Sequence, residues 1–308
     1  MYVLKFVWNP SKGIDLGFFT LHYYSMMWII AFVVGLYIMK RIYKHEGQSS
    51  ESLDSLFIYS VLGIMIGARL GHVIFYQPEL FKEDFFSVFL PFSFKDGFRF
   101  TGFAGLASHG AAIAMIISMY LYNKRVLKKS VLWILDRIVV PVASGAAFVR
   151  LGNFINSEII GKPTDSGLGV QFVQDHYPGY KATKLTGLKD PSEAYNAIVS
   201  QPEFASLLEA VPFRHPSQLY EAFSYVFVFI ILLYFYWRTK KAQQEGFLFG
   251  MFLVFLWTIR FFVEFLKEPQ GEEFLTIFGL NTGQLLSIPF ILIGLYFMFI
   301  YKPKSKVS

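Results

Sequence analysis

The chain has 308 residues, of which 54% are hydrophobic and only 16% charged, and its mean hydropathy is +0.45. That balance excludes an ordinary soluble enzyme, and the 19% aromatic content points to a lipid-embedded chain. A net charge of +6 is too small to suggest a nucleic-acid partner, and the absence of cysteine excludes a disulfide scaffold, a Cys-ligated metal and a Cys nucleophile belonging to the chain.

A helix crossing a hydrocarbon core of about 30 Å needs about 20 mostly apolar residues. Seven such runs occur: Leu21 to Met39, Leu56 to Tyr76, Phe103 to Tyr122, Val131 to Leu151, Leu219 to Trp237, Phe247 to Leu266 and Gly283 to Tyr301. Backbone groups in lipid must be satisfied within their own segment, so each run reads as a helix and the fold class as an all-α integral membrane protein. The first run follows no basic leader and precedes no small-residue cleavage pattern, so it reads as an uncleaved anchor. Lys40, Arg41 and Lys44 follow run one, Lys124, Arg125, Lys128 and Lys129 follow run three, Arg238, Lys240 and Lys241 follow run five, and Lys302, Lys304 and Lys306 close the tail. In a seven-span count all lie on one side, which makes that side cytoplasmic and places the N-terminus outside. Residues 1–308 thus read as one seven-helix domain carrying two outer insertions. The first, over 77–102, is Phe-rich, is interrupted by Pro91 and Gly97 around Lys95, and reads as interfacial. The second, over 161–214, reads as a small extracytoplasmic head in which the sequence assigns no regular element.

Ionisable side chains inside spans cost several kcal/mol and so mark functional candidates. Arg69, Arg150, Arg260 and Glu264 fall near the outer ends of runs two, four and six, and His109 near the outer start of run three. Tyr24 and Gln284 open runs one and seven, while His215, Gln218, Tyr220 and Glu221 open run five. All seven spans would therefore deliver polar groups to one outer layer. Each has a plainer reading beside the functional one. Arg69 lies between Gly67 and Gly71, which favour close helix packing. Arg260 and Glu264 have the i,i+4 spacing of a self-satisfied pair, and His109 can be a hydrogen-bonded bundle residue. Asp136 with Arg137 reads as a local anchoring pair, and His22, Tyr23 and His72 as interface residues. Arg150 stands apart, because Asn153, Asn156, Ser157 and Glu158 load amides and a carboxylate where an exit to a loop needs none. Planar guanidinium donors match a phosphate, which makes a phospholipid headgroup the natural ligand, and no His/Asp/Glu spacing suggests a metal. A transporter of an anionic solute would also bury arginines, but at the midplane between inverted halves, and the polar layer here is off-centre. A phospholipid hydrolase remains the nearest enzymatic alternative.

The stretch Arg150-Leu151-Gly152-Asn153-Phe154-Ile155-Asn156-Ser157-Glu158-Ile159-Ile160-Gly161 resembles the signature of the prolipoprotein diacylglyceryl transferases. Further matches follow in order: Gly67-Ala68-Arg69-Leu70-Gly71, Ser108-His109-Gly110, His215-Pro216-Ser217-Gln218-Leu219-Tyr220-Glu221, Arg260-Phe261-Phe262-Val263-Glu264-Phe265 and Gly283-Gln284-Leu285-Leu286-Ser287. The resemblance implies a seven-span, N-out enzyme of the bacterial inner membrane, with its site facing the outer leaflet and no cofactor. It also implies the reaction: diacylglyceryl transfer from phosphatidylglycerol to the lipobox cysteine of a preprolipoprotein signal peptide, releasing glycerol 1-phosphate. By the same resemblance His109, Arg150 and Arg260 are the catalytic candidates, and Tyr24, Arg69, Asn153, Glu158, Gly161 and Glu264 the substrate-binding ones. Two departures stand out: Ala111 follows His109-Gly110 where the family usually has a second glycine, and Leu256 stands where it commonly has a tyrosine.

Overall fold

The computed structural model describes residues 5–17, 20–90, 92–94, 97–100, 105, 107–268 and 279–302, without the side chains of Arg99, Phe100, Ser108 and His109. Pro91 and Lys95 of the first insertion, and Lys304 and Lys306 of the tail, lie outside the described residues. The chain opens with three short strands, β1 (Phe6–Trp8), β2 (Gly13–Asp15) and β3 (Thr20–His22). The helices α1 (Tyr23–His45), α2 (Ser50–Tyr76), α3 (Leu80–Glu83) and α4 (Phe85–Phe89) follow, then β4 (Phe92–Ser93), β5 (Arg99–Phe100), α5 (Ser108–Tyr122) and α6 (Val131–Ile155). Next come β6 (Val170–Phe172), α7 (Val173–His176), α8 (Gly179–Thr186), α9 (Pro191–Ser200), α10 (Ala205–Glu209) and β7 (Phe213–Arg214). The chain closes with α11 (Ser217–Arg238), α12 (Phe247–Val263) and α13 (Thr282–Leu295).

Among the described residues, five helices are long and apolar enough to cross a membrane: α1, α2, α6, α11 and α13 extended through Ile300. The other two apolar runs correspond to α5, of 15 residues, and α12, of 17. Helix ends depart from the apolar runs for local reasons. Ser49 caps α2 by accepting from the Ser52 amide, so the helix starts a turn and a half ahead of its apolar stretch. Lys44 and His45 carry α1 onward, in the last turn where basic groups suit the helix dipole. Helix α12 stops at Val263 because the chain turns over residues 264–266, and the Leu266 carbonyl then accepts from the Lys162 amide.

The chain divides into two compact units, Leu36–Arg137 and Met1–Gly35 with Ile138–Ser308. In the unit Leu36–Arg137, α2 packs along α5. A Cβ on Gly67 would lie 2.2 Å from the Ala114 Cβ, and one on Gly110 would lie 2.2 Å from the Gly67 carbonyl oxygen, so the two backbones touch. The packing role read for the glycines around Arg69 is thereby met. Arg69 itself donates to the Ser87 carbonyl at 2.8 Å and to the Gly105 carbonyl, tying the first insertion to α2. That insertion holds regular elements: α3 and α4 precede a β4–β5 ladder, and the Asp84 carboxylate accepts from Ser93 Oγ and the Phe94 amide. At the other end of this unit, Arg137 pairs with Glu46 at 2.8 Å and lies over the Trp133 ring, so its partner is not the adjacent Asp136, which is fully buried.

The second unit holds the head. Sequence periodicity leaves this region blank, yet it folds around a three-stranded sheet in the order β1-β6-β7, with β1 parallel and β7 antiparallel to β6. Helices α7 to α10 enclose a core of Val173, Tyr177, Ala182, Ala194, Tyr195, Ile198 and Val211. Its hydroxyls are satisfied internally, Tyr195 donating to the Tyr177 carbonyl and Tyr177 to that of Leu207. A smaller cluster of Phe154, Ile160, Val170 and Phe172, with Trp8 and Leu219 against it, joins the head to the ends of α6 and α11. These strands are too short to show an alternation, and β1 finds its partner across about half of the chain.

Because the α2–α5 contact leaves no room for a methyl group, Gly67→Ala is expected to destabilise the protein by about 1–3 kcal/mol. Thermal unfolding in detergent reads this out beside Ile66→Ala, on the exposed face of the same helix, which is expected to be near neutral.

Candidate active site

The last turns of α6 carry Arg150 and, one turn on, Asn153 on the same face. Arg150 Nε lies 2.8 Å from Oε2 of Glu221, a fully buried carboxylate on α11. Arg150 Nη1 donates to Asn153 Oδ1 at 3.5 Å, Asn153 donates to Glu158 Oε2 at 3.4 Å, and Asn156 donates to Glu158 Oε1 at 3.0 Å. Glu158 thus reaches Arg150 through an amide, and the carboxylate that holds the arginine directly is Glu221. The buried Tyr225 ring, one turn along α11, faces the charges of Glu221, Arg150 and Arg260. Sequence reading placed Glu221 in the polar layer without giving it a role. The signal was there, because a carboxylate one turn inside a span requires a cation.

Beyond α6 the backbone is strained. Ser157 and Ile159 adopt φ of +57° and +60°, a left-handed conformation that is unfavourable for a β-branched residue. It is held by side chains from α11: Ser217 Oγ donates to the Ile159 carbonyl at 2.7 Å, and Gln218 Nε2 donates to the Glu158 carbonyl. Gly161 then meets two other segments. Its amide donates to the His215 carbonyl, it bridges to Lys267, and a Cβ there would lie 2.6 Å from the His215 carbonyl oxygen and 2.7 Å from that of Leu266. Only glycine fits this crossing, which accounts for Gly161 among the expected residues.

The remaining candidates of this unit gather nearby. Tyr24 packs its ring on Gly152 and lines a cleft of about 320 Å³ with Lys12, His22, Ser25, Asn156 and Glu158. His22, expected as a mere interface residue, is therefore part of the cleft wall. Arg260, on the last turn of α12, lies 5.5 Å from the Trp257 ring centre, and Trp257 stacks on Phe290 of α13 at 4.3 Å. The i,i+4 pair of Arg260 with Glu264 does not form among the described residues. The Glu264 carboxylate instead lies against Gly283, in the first turn of α13, and 3.8 Å from Lys267 Nζ. Gln284, in the same turn, completes a capping box with Asn281. Lys267 is 5% exposed, and burial lowers its pKa below the ordinary lysine value against the opposing pull of Glu221 and Glu264. Sequence reading passed over Lys267, which sits just past an apolar run and looks there like any boundary lysine.

Arg69 and His109 belong to the unit Leu36–Arg137. Arg69 is engaged by backbone carbonyls there, and His109 lies on the first turn of α5 with its side chain outside the described residues.

Removing one partner of a buried ion pair leaves the other charge uncompensated, at a cost of about 3–5 kcal/mol. Glu221→Ala is expected to lower thermal stability on that scale, whereas Glu158→Ala, at an exposed carboxylate, is expected to cost about 1 kcal/mol or less.

Against proteins of known identity, residues 12–300 match the prolipoprotein diacylglyceryl transferase family. A phosphatidylglycerol–prolipoprotein diacylglyceryl transferase of Bacteroides fragilis is 36% identical over 99% of both chains. The proteins of that name from Porphyromonas gingivalis and Tolumonas auensis are 36% and 34% identical, covering 90% and 94% of this chain and 89% and 95% of their own. With its arginines, amides and carboxylates on the elements described above, the chain belongs to the prolipoprotein diacylglyceryl transferase family.

Proposed function

We propose that this chain transfers the diacylglyceryl group of phosphatidylglycerol to the lipobox cysteine thiol of a preprolipoprotein, leaving a thioether and releasing glycerol 1-phosphate. The observation that carries the reading is the Arg150 guanidinium, oriented by a buried carboxylate on one side and an amide on the other. Beside the Glu221 ion pair, the Nη1 hydrogen bond to Asn153 and the nearby Tyr225 hydroxyl, the planar fork has further donors for a phosphate. Such a fixed array resists reorganisation as charge grows on the leaving phosphate, which is where preorganised donors contribute most. Arg260 acts on the same phosphate from α12, braced by the stack of Trp257 on Phe290. The substrate thiol has a pKa of about 8.5 when free and must lose its proton to attack the glycerol carbon, and His109 is the base. Tyr24, Asn153, Glu158, Gly161 and Glu264 line the donor site, with Arg69 bracing the insertion beside α2. Leu256 leaves no hydroxyl one turn before Arg260, so that position takes no part in polar contacts.

In this reading all seven apolar helices cross the bilayer, with the N-terminus outside, the C-terminus cytoplasmic and the site opening to the outer leaflet of the bacterial inner membrane. The seven-helix domain spans 1–308, and the insertions 77–102 and 161–214 lie on the outer side. The basic residues after runs one, three and five support this orientation.

The test is mass spectrometry of a lipobox peptide incubated with purified protein and phosphatidylglycerol, beside its Cys→Ser form. A diacylglyceryl mass gain on the Cys peptide alone, with glycerol 1-phosphate released, is expected. Arg150→Ala is expected to abolish the gain, and Arg150→Lys, which loses the planar fork, to lower it by about 10²-fold or more. Lipid cleavage without peptide modification would identify a hydrolase, and wild-type turnover by Arg150→Ala would remove the phosphate site from Arg150.

A further inference from the structure

Lys267 has no part in the scheme above, yet its placement is unlike that of a boundary lysine. Its backbone is stapled to the signature loop: Lys267 bridges to Gly161, the next amide donates to the Ile160 carbonyl, and the preceding carbonyl accepts from Lys162. Its side chain turns inward, 5% exposed, and the charges that act on it are those of Glu221, Glu264, Arg150 and Arg260. Lys267 thus adds a cation beside the pairs built on Glu221 and Glu264. A buried ammonium without a close carboxylate is costly unless an anion arrives to balance it. Within the cluster Arg150 is saturated on one edge by Glu221, whereas the Lys267 ammonium has its Glu264 neighbour only at 3.8 Å, longer than a charge-assisted hydrogen bond.

We propose that Lys267 is a third phosphate-binding cation of this site, contacting the donor's phosphate and holding the charge that collects there as the diacylglyceryl carbon–oxygen bond breaks. The proposal rests on the transferase reading above. In that step the thiolate sulfur bonds to the glyceryl carbon, and the carbon–oxygen bond breaks with its electron pair passing to the phosphate oxygen. The thiol proton has by then gone to the base. A phosphodiester of charge about −1 thus becomes a phosphomonoester of about −1.5 to −2 near neutral pH. The extra negative charge appears beside the ammonium, so the contact strengthens along the reaction.

The experiment compares full-length wild type, Lys267→Met and Lys267→Arg for transfer from phosphatidylglycerol to a lipobox peptide, and for inhibition by added glycerol 1-phosphate. For Lys267→Met, kcat/KM for phosphatidylglycerol is expected to fall about 10²-fold or more, and the inhibition constant of glycerol 1-phosphate to rise about tenfold or more. The peptide KM stays at its wild-type value, while the melting temperature falls because Glu264 loses its partner, so the glycerol 1-phosphate inhibition constant is the readout that decides. Lys267→Arg keeps the charge and is expected to retain transfer and inhibition to within about tenfold. Lys267→Gln gives the same reading should the Met variant not fold. Turnover near wild type in the neutral variants would overturn the proposal. So would lost turnover with glycerol 1-phosphate inhibition unchanged, which would mean that Lys267 merely packs Glu264. If wild type transfers nothing, the transferase reading fails on its own. Calorimetric binding of glycerol 1-phosphate to wild type and Lys267→Met then decides whether Lys267 belongs to an anion site, equal affinities counting against it.

Discussion

A charge taken out of water survives in a fold only in company, and the arrangement around Arg150 follows from that requirement. Glu221 on α11 neutralises the guanidinium, which commits α11 to lie against the end of α6. The same helix supplies Ser217 and Gln218 to the loop leaving α6, so one packing contact both pairs the charge and fixes the strained backbone after it. The strain at Ile159 is tolerated because these contacts over-determine its conformation. Ion pair, amide chain and left-handed turn are thus parts of a single constraint and not separate features of a motif.

A second constraint is the shortage of room. At the Gly161 crossing three chain segments meet, and any side chain there would displace the carbonyl of His215 or Leu266. That crossing brings the segment following α12 back to α6 and carries Lys267 inward with it. In the other unit the touching backbones of α2 and α5 do comparable work, setting Arg69 where it can hold the carbonyls of Ser87 and Gly105. Small residues here determine which large ones can act.

How much of this was legible in the sequence depended on the length scale of each signal. The apolar runs are long, so every one of them corresponds to a helix, with ends displaced by caps and turns that hydropathy does not register. The polar train after Arg150 was legible because amides and a carboxylate are conspicuous at the end of an apolar run. The partner of Arg150 was harder to identify: Glu221 was visible as a misplaced charge, but its pairing depends on how α11 lies on α6, a tertiary fact. For the same reason the i,i+4 spacing of Arg260 and Glu264 misled, since Lys267 and the first turn of α13 compete for the carboxylate. The head was illegible because strands of two or three residues carry no period, and its sheet is completed by residues that look like a loose leader.

That leader has a bearing on how the protein is made. Phe6, Val7 and Trp8 pair with Val170, Gln171 and Phe172, and the Trp8 indole donates to the Phe154 carbonyl at 2.9 Å. This strand is synthesised well before β6, and it has no partner until the ribosome has passed residue 172. At about 5–20 residues per second that is a delay on the order of ten seconds. During it the strand waits unpaired while the apolar helices α1, α2, α5 and α6 are made behind it. Assembly of the head therefore waits on residues 170–214, although its first strand precedes every long helix.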